Sequence, residues 1–162
     1  KDAAEASNYL NKLSDILRFM LYETKTDKIL LEKELEYIEK YIELQKIRTL
    51  NASYVNFNVT GLPGNKTIAP MVFIPFIENA FKHTTNKKID NAINVQVVIK
   101  KDTILFVCDN KFDPNRKLKE ESNGLGNDLI RKRLELIYPG NHTLEIIKHT
   151  DIYSVHLTIR NG

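Results

Sequence analysis

The stretch "IPFIENAFKH", residues 74–83, decides the fold of this chain. Its apolar side chains recur at helical spacing and predict a helix that lines a core. Four polar side chains interrupt that pattern: Glu78, Asn79, Lys82 and His83. The last three lie at i, i+3 and i+4 and share one helix face. Taken alone, they fit a solvated helix face somewhat better than a ligand site.

The residue types on that face also suit a metal–phosphate ligand. The amide oxygen of Asn79 is a hard ligand of the kind that Mg²⁺ accepts, and Lys82 offers a point charge to phosphate. Pro70 is a suitable first residue for the helix. Pro75 lies further along the chain, so the helix is expected either to be kinked there or to begin late.

Two further segments would complete a nucleotide site. Asp109 ends the apolar run "ILFVCD", where a carboxylate can accept a hydrogen bond from an exocyclic amine such as that of adenine. Gly124 and Gly126 precede a predicted helix and would let phosphate approach its N-terminal N–H groups. Individually, a turn at 109–110 and a simple helix cap at 124–126 are at least as good explanations. The order and spacing of the three segments together favour a nucleotide site.

Composition limits the function classes. The 162 residues suggest one domain, or one domain with an appendage, and the balance of 42% apolar and 28% charged residues is typical of globular proteins. The net charge of +3 and the dispersed Lys and Arg residues give no support to direct nucleic-acid binding. One cysteine, Cys108, excludes an internal disulfide. Since the chain begins with Lys1 rather than Met, we expect it to be a fragment.

Periodicity predicts amphipathic helices at residues 3–24 and 31–49, followed by strands and the helix that contains residues 74–83. A fourth helix is predicted within 124–139, a segment that opens with two glycines and then becomes helical. The order is two helices, then β-α-β-β-loop-α-β-β, with a charged loop at 111–123. Strands connected mainly as hairpins favour an α+β sandwich, with helices on one face of a mixed sheet.

These motifs together resemble a known family. "IPFIENAFKH" resembles the N box of histidine kinases, "VCDN" a degenerate G1 box and "GLGNDLIRKRLELIYPG" the G2 box. The upstream run "LSDILRFMLYETKTDKILLEKELEYIEKYIELQKIR" is similar to the segment that follows the phosphoacceptor helix in LytS-like sensor histidine kinases. The resemblance covers about residues 9–160 and implies a Bergerat-type (GHKL) ATP-binding fold.

The resemblance also implies a division of the chain and a set of site residues. Residues 1–24 would be the second helix of the dimerisation hairpin, 25–49 a linker with the first helix of the catalytic domain, and 50–162 the ATP-binding domain with its lid at 111–123. Asn79 would hold Mg²⁺, with Glu78 and Lys82 as candidate catalytic residues. The implied ATP-binding residues are Asn79, Lys82, His83, Asp109, Asn110, Gly124, Leu125 and Gly126.

The sequence departs from the family pattern in two places. Lys111, Phe112 and Asp113 replace the glycines that usually follow the G1 aspartate, and a turn that needs a positive φ at Lys111 would be strained. None of the four histidines lies in the His-Phe-x-Phe-Asn context of the phosphoacceptor. The acceptor helix is therefore expected to be missing from this chain, and autophosphorylation of the chain alone is not expected.

The favoured function is the catalytic region of a two-component sensor histidine kinase that uses ATP and Mg²⁺. Its implied partners are a second copy through the helical hairpin and a response regulator of the LytTR type, at the cytoplasmic side of a membrane sensor. One alternative is a degenerate, pseudokinase-like binding or dimerisation module. The other is an ATP hydrolase of the same fold, which Pro75 disfavours because it occupies the place of the water-activating Glu.

Overall fold

The computed structural model describes residues 2–47, 49, 51–84, 88–113 and 123–160. Two helices come first: α1, Asp2–Tyr22, and α2, Leu31–Ile47. They pack against each other, and the ring of Phe19 stacks on that of Tyr37 with centroids 4.4 Å apart. The inner side of α2 is fully buried at Leu31, Ile38 and Ile42. Both helices therefore lie where the periodicity predicts them.

A five-stranded mixed sheet forms the centre of the molecule, with strand order β2-β4-β5-β7-β6. Its strands are β2 (Val55–Thr60), β4 (Ile93–Ile99), β5 (Thr103–Lys111), β6 (His142–Lys148) and β7 (Ile152–Arg160). β2 and β4 run parallel, and the other neighbours are antiparallel. The parallel pair needs a crossover connection, which contains α3, Ile74–His83.

The helices cover one face of this sheet. Phe73, just before α3, stacks on Phe106 of β5 with ring centroids 4.6 Å apart, and Phe76 lies 5.9 Å from the same ring. α4 (Asn123–Ile137) buries Leu134 in the same core. The alternation of buried and partly exposed residues along β4 and β5 shows that the opposite face of the sheet, called the open face below, is less covered. The predicted α+β sandwich, with two preceding helices, is confirmed.

Some local features differ from the sequence-based expectations. α3 begins at Ile74 with Pro75 in its first turn, so the late start is correct and Pro70 lies in the preceding turn. A two-stranded sheet of β1 (Ile29–Leu30) and β3 (Thr67–Ile68) was not predicted, because two-residue strands carry no periodicity. Most of the predicted lid, residues 114–122, lies outside the described residues.

Gly61 at the end of β2 is required by geometry. Its φ is +93°, and a Cβ there would lie 2.3 Å from the backbone oxygen of Ile99. Because no side chain fits at that distance, a larger residue would force β2 away from β4.

Candidate functional site

The polar face of α3 is the first part of the candidate site. Asn79 and His83 are half-buried, while Glu78 and Lys82 are exposed. The helix is anchored on its other side by side chains that are fully or almost fully buried: Ile74, Phe76, Ile77, Ala80 and Phe81. The structure therefore brings Asn79, Lys82 and His83 together on one partly accessible face, as their spacing predicts.

Partial burial shifts the pKa of two groups on this helix. Partial burial, and then the charge of Lys82, lower the pKa of His83. This shift favours the neutral imidazole, which can donate one hydrogen bond and accept another. Burial also raises the pKa of Glu78. Pro75, one helical turn before Asn79, has no side-chain group that could activate water.

The end of β5 is the second part of the site. Side chains alternate between the two faces of a strand, and Cys108 faces the helices with its Sγ 3.9 Å from the backbone oxygen of Phe76. Asn110, two residues further, is on the same face and is only 3% exposed. Among the described residues its Nδ2 has no hydrogen-bond partner.

Asp109 lies on the opposite, open face of the sheet. It is paired with Asn94 of β4 and with Ser154 of β7, whose hydroxyl donates to the Asp109 carboxylate. A polar cavity of about 360 Å³ adjoins this carboxylate on the open face, with Asn56, Asn94 and Gln96 in its wall. The structure thus does not bring Asp109 to Asn79, because one residue along a strand changes the face. The sequence analysis expects Asp109 to bind the adenine amine, and the observed position of its side chain does not agree with that role.

The degenerate G1 segment contains no strained turn at Lys111. Lys111 is the last residue of β5, and its N–H donates to Ala92 O at 2.8 Å. Positive φ angles among the described non-glycine residues occur at Met71 and Asn91. The strain that a positive φ at Lys111 would have caused is therefore absent, and the missing glycine costs nothing at that position.

The start of α4 is the third part of the site. Gly124, Leu125 and Gly126 lie in the first turn of α4 rather than before it. Asn127, which follows them, donates from Nδ2 to the hydroxyl of Tyr153 at 3.2 Å. Tyr153 is the β7 partner of Asn110. The N-terminus of α4, where free N–H groups favour phosphate, therefore lies beside the end of β5 and β7.

A buried polar cluster that the sequence analysis missed holds the segment before α3. The carboxylate Oε2 of Glu34, on α2, accepts the N–H of Met71 at 2.9 Å. Arg133, on α4, donates to Pro70 O at 2.7 Å and to Met71 O at 3.1 Å. The hydroxyl of Tyr138 accepts the Ala69 N–H at 2.6 Å. The cluster fixes the start of α3 from two other helices, and with it the direction of the polar face.

Glu34 has an unusual environment for a carboxyl group. It is fully buried, and desolvation raises its pKa to about 7, although its hydrogen bonds from the Met71 segment and the charge of Arg133 oppose the shift. Its position could have been read from the sequence, because Glu34 lies three residues after Leu31 and four before Ile38, on the inner side of α2. An acidic residue is rarely buried, so Glu34 was not counted among the inner residues of α2.

Within the described part of the chain, no helix is both long and apolar enough to cross a membrane. The same residues contain no cluster of three or more His, Cys, Asp or Glu side chains that could hold a metal ion. A metal held mainly by phosphate oxygens and one amide, as expected at Asn79, would not need such a cluster.

Comparisons with known proteins agree with this architecture. Residues 1–52 match the family model described as "Histidine kinase". The sensor protein kinase HptS of Staphylococcus aureus (strain USA300) is 29% identical over 127 residues, which are 77% of this chain and 24% of HptS. The chain thus spans about a quarter of the length of the curated relatives that it matches.

Solved structures show the same fold at low sequence identity. The catalytic domain of histidine kinase ThkA superimposes with a TM-score of 0.56 at 16% identity, covering 83% of this chain and 94% of that domain. The histidine kinase AdeS of Acinetobacter baumannii gives a TM-score of 0.54 at 11% identity, covering 96% of this chain and 77% of AdeS. The chain therefore consists of a segment that matches the histidine kinase family and the fold of a histidine kinase catalytic domain, and it is a distant relative of HptS.

Proposed function

We propose that this chain is the ATP-binding catalytic region of a LytS-like sensor histidine kinase, which transfers the γ-phosphoryl group of ATP to a histidine on an upstream helix. The observation that carries the proposal is the meeting of three elements at one end of the sheet. They are α3, which carries Asn79 and lies against Cys108 of β5 through Phe76, the buried end of β5 with Asn110, and the start of α4, which contacts Tyr153, the β7 partner of Asn110.

The residues present fit Mg–ATP. Asn79 supplies a half-exposed amide of the type that binds Mg²⁺. Mg²⁺, when bound, supplies charge neutralisation between the phosphates. The unpartnered Nδ2 of Asn110 indicates a buried polar position that a ligand can satisfy.

The protein's own groups would act mainly by positioning. Lys82 and the neutral His83 would contact phosphate oxygens, as a charge and as a hydrogen-bond donor respectively. The N–H groups of the first turn of α4 would hold the phosphates from the other side. Glu78, next to Asn79, would polarise the attacking imidazole of the acceptor helix. Phosphoryl transfer depends chiefly on such positioning and charge neutralisation.

The exposed face of α1 supports a place in a dimerisation hairpin. Leu10, Leu17 and Leu21 are 62%, 50% and 62% exposed, although they recur on one side of the helix. An apolar stripe of this kind is stable in a helical bundle that covers it. We therefore propose that α1 packs against an acceptor helix and a second copy in the whole sensor protein.

Partners and location follow from the same proposal. Histidine kinase ThkA, whose structure was solved in complex with the response regulator protein TrrA, superimposes with a TM-score of 0.52 at 15% identity. We propose that this chain likewise signals to a response regulator, of the LytTR type that the family resemblance implies. The chain would then be the cytoplasmic portion of a membrane sensor.

The proposal is tested by supplying the acceptor. The chain incubated with Mg–[γ-³²P]ATP should gain no acid-labile phosphohistidine, since none of its histidines has the acceptor context. A protein in which a helix with the His-Phe-x-Phe-Asn sequence precedes Lys1 should be labelled, and Asn79→Ala should abolish the label. Brisk steady ATP turnover by the chain alone would instead indicate a hydrolase, and absence of label in the extended protein would contradict the kinase assignment.

A further inference from the structure

The side chain of Asn110 is a buried amide at the place where the nucleotide base is expected. It lies on the same face of β5 as Cys108, which contacts Phe76 of α3, and its partner on β7 is Tyr153, which contacts α4. Its Nδ2 is buried without a partner among the described residues. Buried donors are almost always satisfied in native proteins, so this one requires an explanation. A base edge entering between α3 and α4 would satisfy it.

Asp109 cannot take this role from its observed position. Its carboxylate lies on the open face of the sheet, where it accepts the hydroxyl of Ser154, and that hydroxyl is also 3.0 Å from Nε2 of His156. Bringing Asp109 to the helix side would require a one-residue shift of β5, which would move Phe106 and Cys108 out of the core.

We propose, on the basis of the proposed function, that Asn110 contacts the base and that its amide makes the site tolerant of guanine as well as adenine nucleotides. An amide offers one acceptor and one donor group, whereas a carboxylate offers acceptors alone. Adenine presents its exocyclic N–H₂ donor beside the N1 acceptor. Guanine presents its O6 acceptor beside the N1–H donor.

The two faces of the amide match both patterns. In one orientation Oδ1 accepts from the adenine amine while Nδ2 donates to N1, and a half-turn of the amide matches guanine. A carboxylate oxygen placed opposite the 6-substituent of the base would accept from the adenine amine, but it would face the O6 lone pairs of guanine and leave two acceptors opposed. Asparagine at position 110 therefore relaxes the base discrimination that an aspartate would impose.

The test compares the binding of non-hydrolysable Mg–ATP and Mg–GTP analogues by calorimetry, in the parent and in Asn110→Asp. We expect the parent to bind the two analogues with affinities within about tenfold of each other. Asn110→Asp should increase the preference for ATP by about tenfold or more, because the carboxylate gains a charge-assisted hydrogen bond to adenine and repels O6 of guanine. Asp109→Asn is the matched control, and it should leave the ratio of affinities within about twofold of the parent's, since a side chain on the other face gains or loses no bond to the base.

A second variant keeps the test decisive if Asn110→Asp fails to fold. Asn110→Leu removes both polar groups at similar volume and should weaken the two analogues equally, by about tenfold. The inference would be wrong if the parent prefers ATP by more than about a hundredfold and neither substitution at position 110 changes that preference. The proposed function would stand in that case. A parent that binds neither analogue would overturn both.

Discussion

Asp109 and Asn110 are neighbours in the chain but face opposite sides of the sheet. Asp109 accepts the hydroxyl of Ser154 on the open face, whereas Asn110 is buried against the helices. Asp109 therefore bonds to the neighbouring strand, and Asn110 is the residue that we propose for contact with the ligand. This difference leads directly to the first prediction.

Asp109→Ala should leave nucleotide affinity within about twofold of the parent's, because its carboxylate is on the far side of the sheet. The substitution should instead lower the free energy of unfolding by about 1 kcal/mol, since Ser154 loses a charged acceptor. Urea denaturation and calorimetric titration of the same preparation measure both quantities. A large loss of affinity with unchanged stability would return the base-reading role to Asp109.

Glu34 should make folding stability depend on pH. Its pKa is raised from 4.5 to about 7, so between those values the folded chain holds a proton that the unfolded chain has released. Its contribution to stability is present below pH 4.5 and is lost as pH rises through 7. Between pH 5 and pH 8, parent stability relative to Glu34→Gln should fall by about 2–3 kcal/mol.

Urea unfolding of both proteins at the two pH values measures this effect. Glu32→Gln, an exposed acid on the same helix, is the control and should show no pH-dependent difference from the parent. An equal difference between parent and Glu34→Gln at both pH values would mean that Glu34 has an ordinary pKa.

Arg133 should be needed to hold the start of α3. Its guanidinium donates to Pro70 O and Met71 O at once, and a lysine cannot reproduce this two-bond geometry. We expect Arg133→Lys to destabilise the fold by about 1–3 kcal/mol and to weaken nucleotide binding through the displaced α3. The control is Arg131→Lys, whose parent side chain is exposed and makes one 3.4 Å hydrogen bond to Leu144 O. Equal melting temperatures for the two variants would exclude the positioning role.

The exposed leucines of α1 should mediate association of the protein once the acceptor helix is supplied. Leu17→Lys with Leu21→Lys should convert a dimer of that extended protein to monomer, because two buried charges replace apolar contacts. Asn11→Lys, at an exposed position outside the stripe, should remain dimeric. Sedimentation equilibrium distinguishes the states, and a double variant that still dimerises would place the interface elsewhere.

The sequence predicted the fold well because periodicity and hairpin spacing are local properties. The late start of α3 at Pro75, the two preceding helices and the β4–β5 and β6–β7 hairpins all follow from patterns within a few residues. The pairing of β1 with β3 could not be predicted, since it joins residues about 40 apart through two-residue strands. Nor could the sequence show which strand crosses over to make the parallel pair.

The site could be predicted only in part. The face shared by Asn79, Lys82 and His83 follows from helical spacing alone. The direction of the Asp109 side chain follows from the alternation of inward and outward residues along β5. Because Phe106 and Cys108 point into the core, the same alternation makes Asn110 inward and Asp109 outward. The sequence analysis assigned the base contact to Asp109 because it is charged, although strand periodicity indicates that its neutral neighbour Asn110 faces the helices. The cluster of Glu34, Arg133 and Tyr138 needed the tertiary structure, because its members come from separate helices and the α4 end.

The most direct test of the central claim is a calorimetric titration of a non-hydrolysable ATP analogue, with Mg²⁺ and with EDTA, into the parent, Asn79→Ala and Asn58→Ala. Asn58 is an exposed asparagine of β2 and serves as the matched control. Mg²⁺ should strengthen binding to the parent and to Asn58→Ala by about tenfold or more, and Asn79→Ala should lose that gain. If Asn79→Ala keeps the full effect of Mg²⁺, or if the parent binds no nucleotide under either condition, the polar face of α3 is not a Mg–ATP site.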